Sequence, residues 1–198
     1  MCVRRFTAIL ILGVASLGAS AAADAQSFNA EPIRAGVYVF NATKAYRIEK
    51  LGPEYNFRTN PKGHRFTYHM KLSMVAQQYA EYLARLNASG HTADGRTPQQ
   101  RVEQAGIKHC GVSENVHSSW TRPTAATWTA AADHAVAQWK ASAPHEENLR
   151  RTTVNAMGAA SAGWKHGEQW HYRFVQIFID DCEPAGRPNQ FPKRAAAP

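Results

Sequence analysis

Residues 155–180 read N-A-M-G-A-A-S-A-G-W-K-H-G-E-Q-W-H-Y-R-F-V-Q-I-F-I-D, and they decide the fold class. The second half alternates. Trp170, Tyr172, Phe174 and Phe178 fall on one face, and Val175, Ile177 and Ile179 on the other. Successive side chains of a strand point to opposite faces, so apolar residues on both sides predict a central strand covered above and below. The first half, from Asn155 to Trp164, is rich in Gly, Ala and Ser, which implies that another element approaches it closely. Lys165 to Glu168 contains Gly167 and reads as the hairpin turn between the two strands.

Upstream, the period changes from two to 3.6. Leu72, Val75, Ala76, Tyr79, Ala80, Leu83 and Ala84 form one apolar stripe of a helix that ends at Asn87 to Gly90. Thr97-Pro98-Gln99-Gln100 opens a second, short helix. Thr97 can cap it, Pro98 suits its first position, Gln100 completes a capping box, and Gly106 closes it. Trp128, Ala131, Ala132, Ala135, Val136 and Trp139 make a third stripe, which Pro144 should stop. Asn41 to Arg47 suits a helix ended by Gly52-Pro53, and residues 54–68 read as loop. Helices first and a sheet afterwards predict an α+β fold with helices packed on the sheet.

The flanks read differently. Residues 1–25 combine Arg4 and Arg5, an apolar run from Phe6 to Leu17, and Ala23-Asp24-Ala25 in the form of a cleavage site. This is the pattern of a signal peptide, and its apolar run is too short to span a bilayer of about 30 Å. No second run is long enough for a transmembrane helix, so none is expected in the mature chain. Residues 183–198 read as a disordered tail, leaving one domain over 26–182. The whole chain of 198 residues carries +8; without residues 1–25 it holds 21 basic and 14 acidic residues, or +7. Such a balance favours anionic surfaces. The basic residues are scattered, with Arg150-Arg151 the one adjacent pair before the tail, so nucleic acid is not an expected partner. Export leaves two cysteines, Cys110 and Cys182, and an even count in an oxidising compartment predicts a disulfide between them. The expected location is therefore secreted or periplasmic.

Nine histidines are spread along the chain, and no H-E-x-x-H, C-x-x-C, G-x-S-x-G or phosphate-binding glycine loop is present. Local spacing alone gives no metal site. Three other segments stand out: H-T-A-D-G-R-T-P-Q-Q-R-V-E-Q-A-G (91–106), S-E-N-V (113–116) and W-K-A-S-A-P-H-E-E-N-L (139–149). Together with the helix at 72–84 and V-Q-I-F (175–178), in this order and spacing, they resemble the CAP superfamily. That superfamily comprises cysteine-rich secretory, antigen-five and pathogenesis-related proteins, and the bacterial SCP-like branch resembles this chain most. Residues 26–71 match poorly and read as an elaboration.

The resemblance implies a three-layer α-β-α sandwich with a small, mostly antiparallel sheet and a cleft on one face. Many members line that cleft with two histidines and two acids able to hold a divalent cation. His91 and His145 match the histidines and Glu114 the first acid; Ser142 stands where the second acid would be. Two imidazoles and a carboxylate would suit zinc, and Glu146 or Glu147 could replace the missing acid. Each residue also has a structural alternative: His91 as a loop hydrogen-bonder, Glu114 as an acceptor pinning the chain before the sheet, His145 as a cap. Ser142 and Asn148 suit caps or turns, and Trp128 and Trp139 the core.

Three functional readings follow, the plainest being an envelope scaffold whose cleft is vestigial. The first is a non-catalytic secreted binding module, a monomer taking a lipid, glycan or protein ligand or an anionic envelope surface. The alternative is a hydrolase of the envelope or extracellular space using His91, Glu114 and His145 with or without a metal. It lacks a convincing nucleophile, because nothing places an oxyanion hole beside Ser142. N-terminal sequencing of exported protein should find Gln26 as the first residue; a mature start at Met1 would refute the cleavage site.

Overall fold

The structure is a computed structural model that describes residues 32–52, 66–121, 128–180 and 182. The expected signal peptide and tail lie outside these residues. In chain order the elements are α1 (Pro32–Leu51), β1 (Thr67–Tyr68), α2 (Met70–Arg85), α3 (Pro98–Gln104), β2 (Gly111–Thr121), α4 (Trp128–Ala141), α5 (Ala143–Arg150), β3 (Ala156–His166) and β4 (Gln169–Asp180).

Local chemistry accounts for most boundaries. The apolar stripe of α2 is its buried face, from Leu72 to Ala84. Its cap is His69, whose Nδ1 accepts the Leu72 N–H at 3.2 Å. Around α3 the capping box is complete: Thr97 Oγ1 accepts the Gln100 N–H at 3.2 Å, and Gln100 Oε1 accepts the Thr97 N–H at 2.8 Å. Gly106 (φ 66°) follows this helix in the left-handed conformation that glycine adopts without a Cβ penalty. The helix expected around Asn41 to Arg47 is far longer, a 20-residue α1 closed at Gly52. Within the stretch read as loop, Thr67–Tyr68 is strand β1. Pro144 does not merely end a helix. It occupies the first turn of α5, where its missing N–H costs nothing.

The sheet has four strands in the order β1-β3-β4-β2. β1 runs parallel to β3, whereas β3 with β4 and β4 with β2 are antiparallel. The hairpin of β3 and β4 fills the middle, as its two-sided apolar pattern requires. The 11-residue β2 was not expected, since its sequence, G-V-S-E-N-V-H-S-S-W-T, shows no apolar alternation. Glu114 therefore lies inside the sheet rather than before it.

Helices α1, α4 and α5 cover one face, burying Trp139, Leu149, Met157, Phe174 and Phe178. Helices α2 and α3 cover the other over Leu72, Leu83, Val175, Ile177 and Ile179. The result is an α-β-α sandwich. Its thickness is set on β3, where small residues admit backbone from both sides. A Cβ on Gly158 would collide with Ser73 N and Leu72 C of α2, and one on Gly36 of α1 would collide with the Ala159 carbonyl. On the sheet's α1 side a buried amide network adds direction: Gln176 Nε2 donates to Thr43 Oγ1 at 2.7 Å, and Gln176 Oε1 accepts from Asn115 Nδ2 at 3.1 Å.

Cys110 and Cys182 form the expected disulfide, with Cα atoms 5.3 Å apart and a sequence separation of 72. It ties the approach to β2 to the end of β4. Gly158→Ala should cost about 3 kcal/mol or destroy the fold, because a backbone must move to admit the methyl. Gly111→Ala, where a Cβ meets nothing within 4 Å, should leave the urea midpoint near wild type. Equal midpoints for the two variants would refute the close approach.

Candidate functional site

The site forms where β2, at one side of the sheet, meets the loop after α2 and the start of α5. Glu114 and Asn115 are consecutive strand residues and so serve opposite layers. Glu114 faces α2 and α3, and its side chain is 1% exposed. One carboxylate oxygen, Oε1, lies 2.9 Å from His91 Nδ1; the other accepts from Arg101 Nη2 at 2.8 Å. Asn115 faces α5, donating through Nδ2 to the His145 carbonyl at 3.2 Å and accepting from Asn148 Nδ2 at 2.9 Å. Asn148 is thus a bridge from α5 to the strand rather than a cap.

Arg101 organises the Glu114 side. Beyond Glu114, its guanidinium donates to Asp94 Oδ1, the Arg96 carbonyl and the His91 carbonyl, each at 2.9 Å. It lies over the Tyr79 ring, 3.5 Å from the centroid. The Tyr79 hydroxyl donates to the Gly90 carbonyl at 2.6 Å and accepts the Ala93 N–H at 3.2 Å. A buried arginine, a tyrosine and two carboxylates therefore clamp the loop that carries His91. The alternative reading of Glu114, as an acceptor of backbone N–H groups that pins the loop before the sheet, is corrected: its partners are the side chains of His91 and Arg101, and it lies within β2.

The His91 side chain is 46% exposed. His145 sits in the first turn of α5, beyond the N-cap position of Ser142, which makes no side-chain cap bond. Burial lowers the His145 pKa, and the charge of His91 lowers it further, so the two imidazoles share one field. Glu146 instead accepts from Tyr46 at 3.0 Å and from Arg150 at 2.6 Å, and Glu147 pairs with Arg151 at 3.0 Å, so neither replaces the missing acid. Trp139 is core and Trp128 is half-buried against Tyr38.

Two histidines that sequence reasoning passed over belong to this neighbourhood. His117 Nε2 lies 3.2 Å from His134 Nδ1. Burial is the main cause holding the His117 pKa down to about 4, followed by the charges of His134, His145 and Arg173. The signal that could have found it is its place on β2, three residues after Glu114.

The donor set does not fit a metal ion as arranged. No three His, Cys, Asp or Glu side chains among the described residues are grouped so that they could hold one. Both Glu114 oxygens are engaged, and the guanidinium of Arg101 already supplies the positive charge that a cation would bring.

The match to known proteins follows the same elements. Residues 40–178 fit the sequence profile of the cysteine-rich secretory protein family. The chain belongs to that family. Its fold is similar to an outer surface protein from Borrelia burgdorferi, with a TM-score of 0.58 and 20% identity over 79% of this chain and 98% of that one. It is also similar to an extracellular SCP-domain protein from Bacillus anthracis, with a TM-score of 0.52 and 15% identity over 75% of this chain and 41% of that one. A search of curated proteins finds no match. No helix among the described residues is long and apolar enough to cross a membrane.

Two outcomes are expected. Glu114→Gln removes one of the two buried carboxylates paired with Arg101, leaving Asp94, and should cost about 2 kcal/mol in urea denaturation. The histidines set a pH window. An unfolded imidazole titrates near 6.5, whereas His117 in the fold titrates near 4. Between these values the unfolded chain binds more protons, so this contribution is full above pH 6.5 and is lost as the pH falls toward 4. His145 and His171 are shifted in the same direction. Urea midpoints measured from pH 7 to 4 should fall, and less steeply in His117→Gln.

Proposed function

We propose that this family member is exported and acts as a non-catalytic binding module, with the mouth between His91 and His145 as its ligand-facing surface. One observation supports this reading: the Glu114 carboxylate is buried between His91 and Arg101, so it is not itself presented to a substrate as a base. A general base needs a free lone pair within reach of the proton it takes. Here one oxygen faces His91 and the other Arg101, and neither is open to a substrate. A nucleophile is also wanting, since Ser142 is no nearer to an oxyanion hole than its position at a helix start provides. The exposed ring of His91 and the partly desolvated ring of His145 remain to meet a ligand by hydrogen bonding and stacking.

Export is supported by the signal-like residues 1–25 and by the disulfide, which suits an oxidising compartment. The solved relatives described as an outer surface protein and an extracellular protein point the same way. The mature charge of +7 adds salt-sensitive attraction to anionic envelope material.

The test has two arms. Against a panel of nitrophenyl esters and a generic peptide substrate, with and without zinc, wild type and the double variant His91→Ala/His145→Ala should show the same background rate. A rate that the double variant abolishes would replace the binding module with the hydrolase. In NMR titrations with soluble wall fragments and lipid micelles, the His91 and His145 ring resonances should be among those that move. Shifts confined to surface lysines would remove the cleft from the reading.

A further inference from the structure

Where β2 meets α4, two imidazoles come together that neither His91 nor Glu114 touches. His117 Nε2 lies 3.2 Å from His134 Nδ1. Both rings stand on rigid elements. His117 is in the middle of β2, opposite Phe174 of β4, with the Trp139 ring edge-on to it at 6.5 Å. His134 is on α4, which is anchored by its buried Ala131, Ala132, Ala135, Val136 and Trp139. Groups mounted on strands and helices are held more precisely than groups on loops.

The pair has the spacing of two ligands on one ion. Nitrogens bound at about 2.0–2.1 Å to a tetrahedral ion stand ~3.3 Å from each other. The ring centroids are 5.1 Å apart, with the planes at 61°. Two rings aimed straight at each other across the same contact would have their centres further apart, so the ring axes are bent off the line between the nitrogens. Lone pairs lie along those axes, and a shared ion requires such a bend, whereas a straight hydrogen bond does not. Among the described residues, each ring has the other as its one hydrogen-bond partner. An ion therefore displaces a single contact. A ligating imidazole must be neutral, and burial already keeps His117 so at pH 7.

We propose that His117 and His134 form a two-imidazole site for a divalent first-row transition ion, copper(II) before the others, tying β2 to α4. Imidazole nitrogen suits copper and zinc, and copper(II) stands highest in the affinity order of the divalent ions. No third His, Cys, Asp or Glu completes the set among the described residues. Water fills the other positions, to which the exposed His134 gives access. In the free pair one of the facing nitrogens carries a hydrogen. Ligation takes the other tautomer of that ring, with its N–H turned away from the ion, so no net proton is released. The site needs neither His91 nor His145, and it stands or falls separately from the binding-module reading.

The probe is copper(II) alone, added to the disulfide-bonded mature chain labelled with 15N. Calorimetry should give one tight site per chain, and electron spin-echo spectroscopy should count two imidazoles on the ion. The Trp139 indole N–H cross-peak should be bleached below one equivalent, because the paramagnetic ion sits beside His117. Two anchored rings make the second contact intramolecular, so His117→Gln or His134→Gln should each weaken binding by about a hundredfold. His134 is exposed, so His134→Gln should leave the melting temperature of the free protein unchanged. His166→Gln, at an exposed histidine of the β3–β4 hairpin, should leave the affinity unchanged. Wild-type affinity in His134→Gln would overturn the site, as would a single imidazole on the ion in wild type. So would loss of binding in His91→Ala with full binding in His117→Gln, which would move the ion to the Glu114 side.

Discussion

Two helices must lie against the same strand from opposite sides, and only glycine and alanine leave room for both. Gly158 faces the α2 backbone, while Ala159 faces Gly36 of α1. That contact fixes the thickness of the sandwich, and thickness fixes where the helix ends fall relative to β2. The loop after α2 can reach Glu114 from one side, and the start of α5 can reach Asn115 from the other, because both layers are held at close range. Packing this dense transmits a misfit of one methyl group instead of absorbing it.

Around that frame the polar residues do the positioning. A buried arginine would be a liability if its charge were unmatched, and here it meets Asp94, Glu114 and the Tyr79 ring together. Buried ion pairs add little net stability but are costly to break, which suits a device that holds one geometry. Asn115 and Asn148 perform the neutral equivalent on the opposite layer. The candidate site therefore lies at the seam between two separately anchored helical layers.

What could be read in advance followed the strength of the periodic signal. The α2 stripe, the capping box at Thr97 and the two-sided β4 were legible because each burial pattern repeats within a few residues. β2 was not, since the contacts that bury Glu114 and Asn115 are made to Arg101, His91, Asn148 and Gln176, far away in sequence or polar in kind. Pro144 was legible as a break but not as a beginning, because proline ends one helix and opens another by the same missing N–H. The resemblance singled out His91, Glu114 and His145 by motif, and the structure brings His91 and Glu114 into contact. Motif alone could not find Arg101 as the partner of Glu114, nor the His117–His134 contact, because both depend on which face of β2 each residue occupies.

The two lateral margins of the sheet bear on how such a chain survives in crowded surroundings. An unpaired strand margin is a template for another chain, and long exposed margins invite aggregation. Here one margin is β1, only two residues long. Along β2, side chains occupy main-chain acceptors: Asn148 Nδ2 donates to the Glu114 carbonyl and Trp139 Nε1 to the Val116 carbonyl, each at 3.4 Å. Side chains of α4 and α5 thus occupy two of the main-chain acceptors that a foreign strand would use along β2, so the layer that anchors the candidate site also narrows the sheet's open margin.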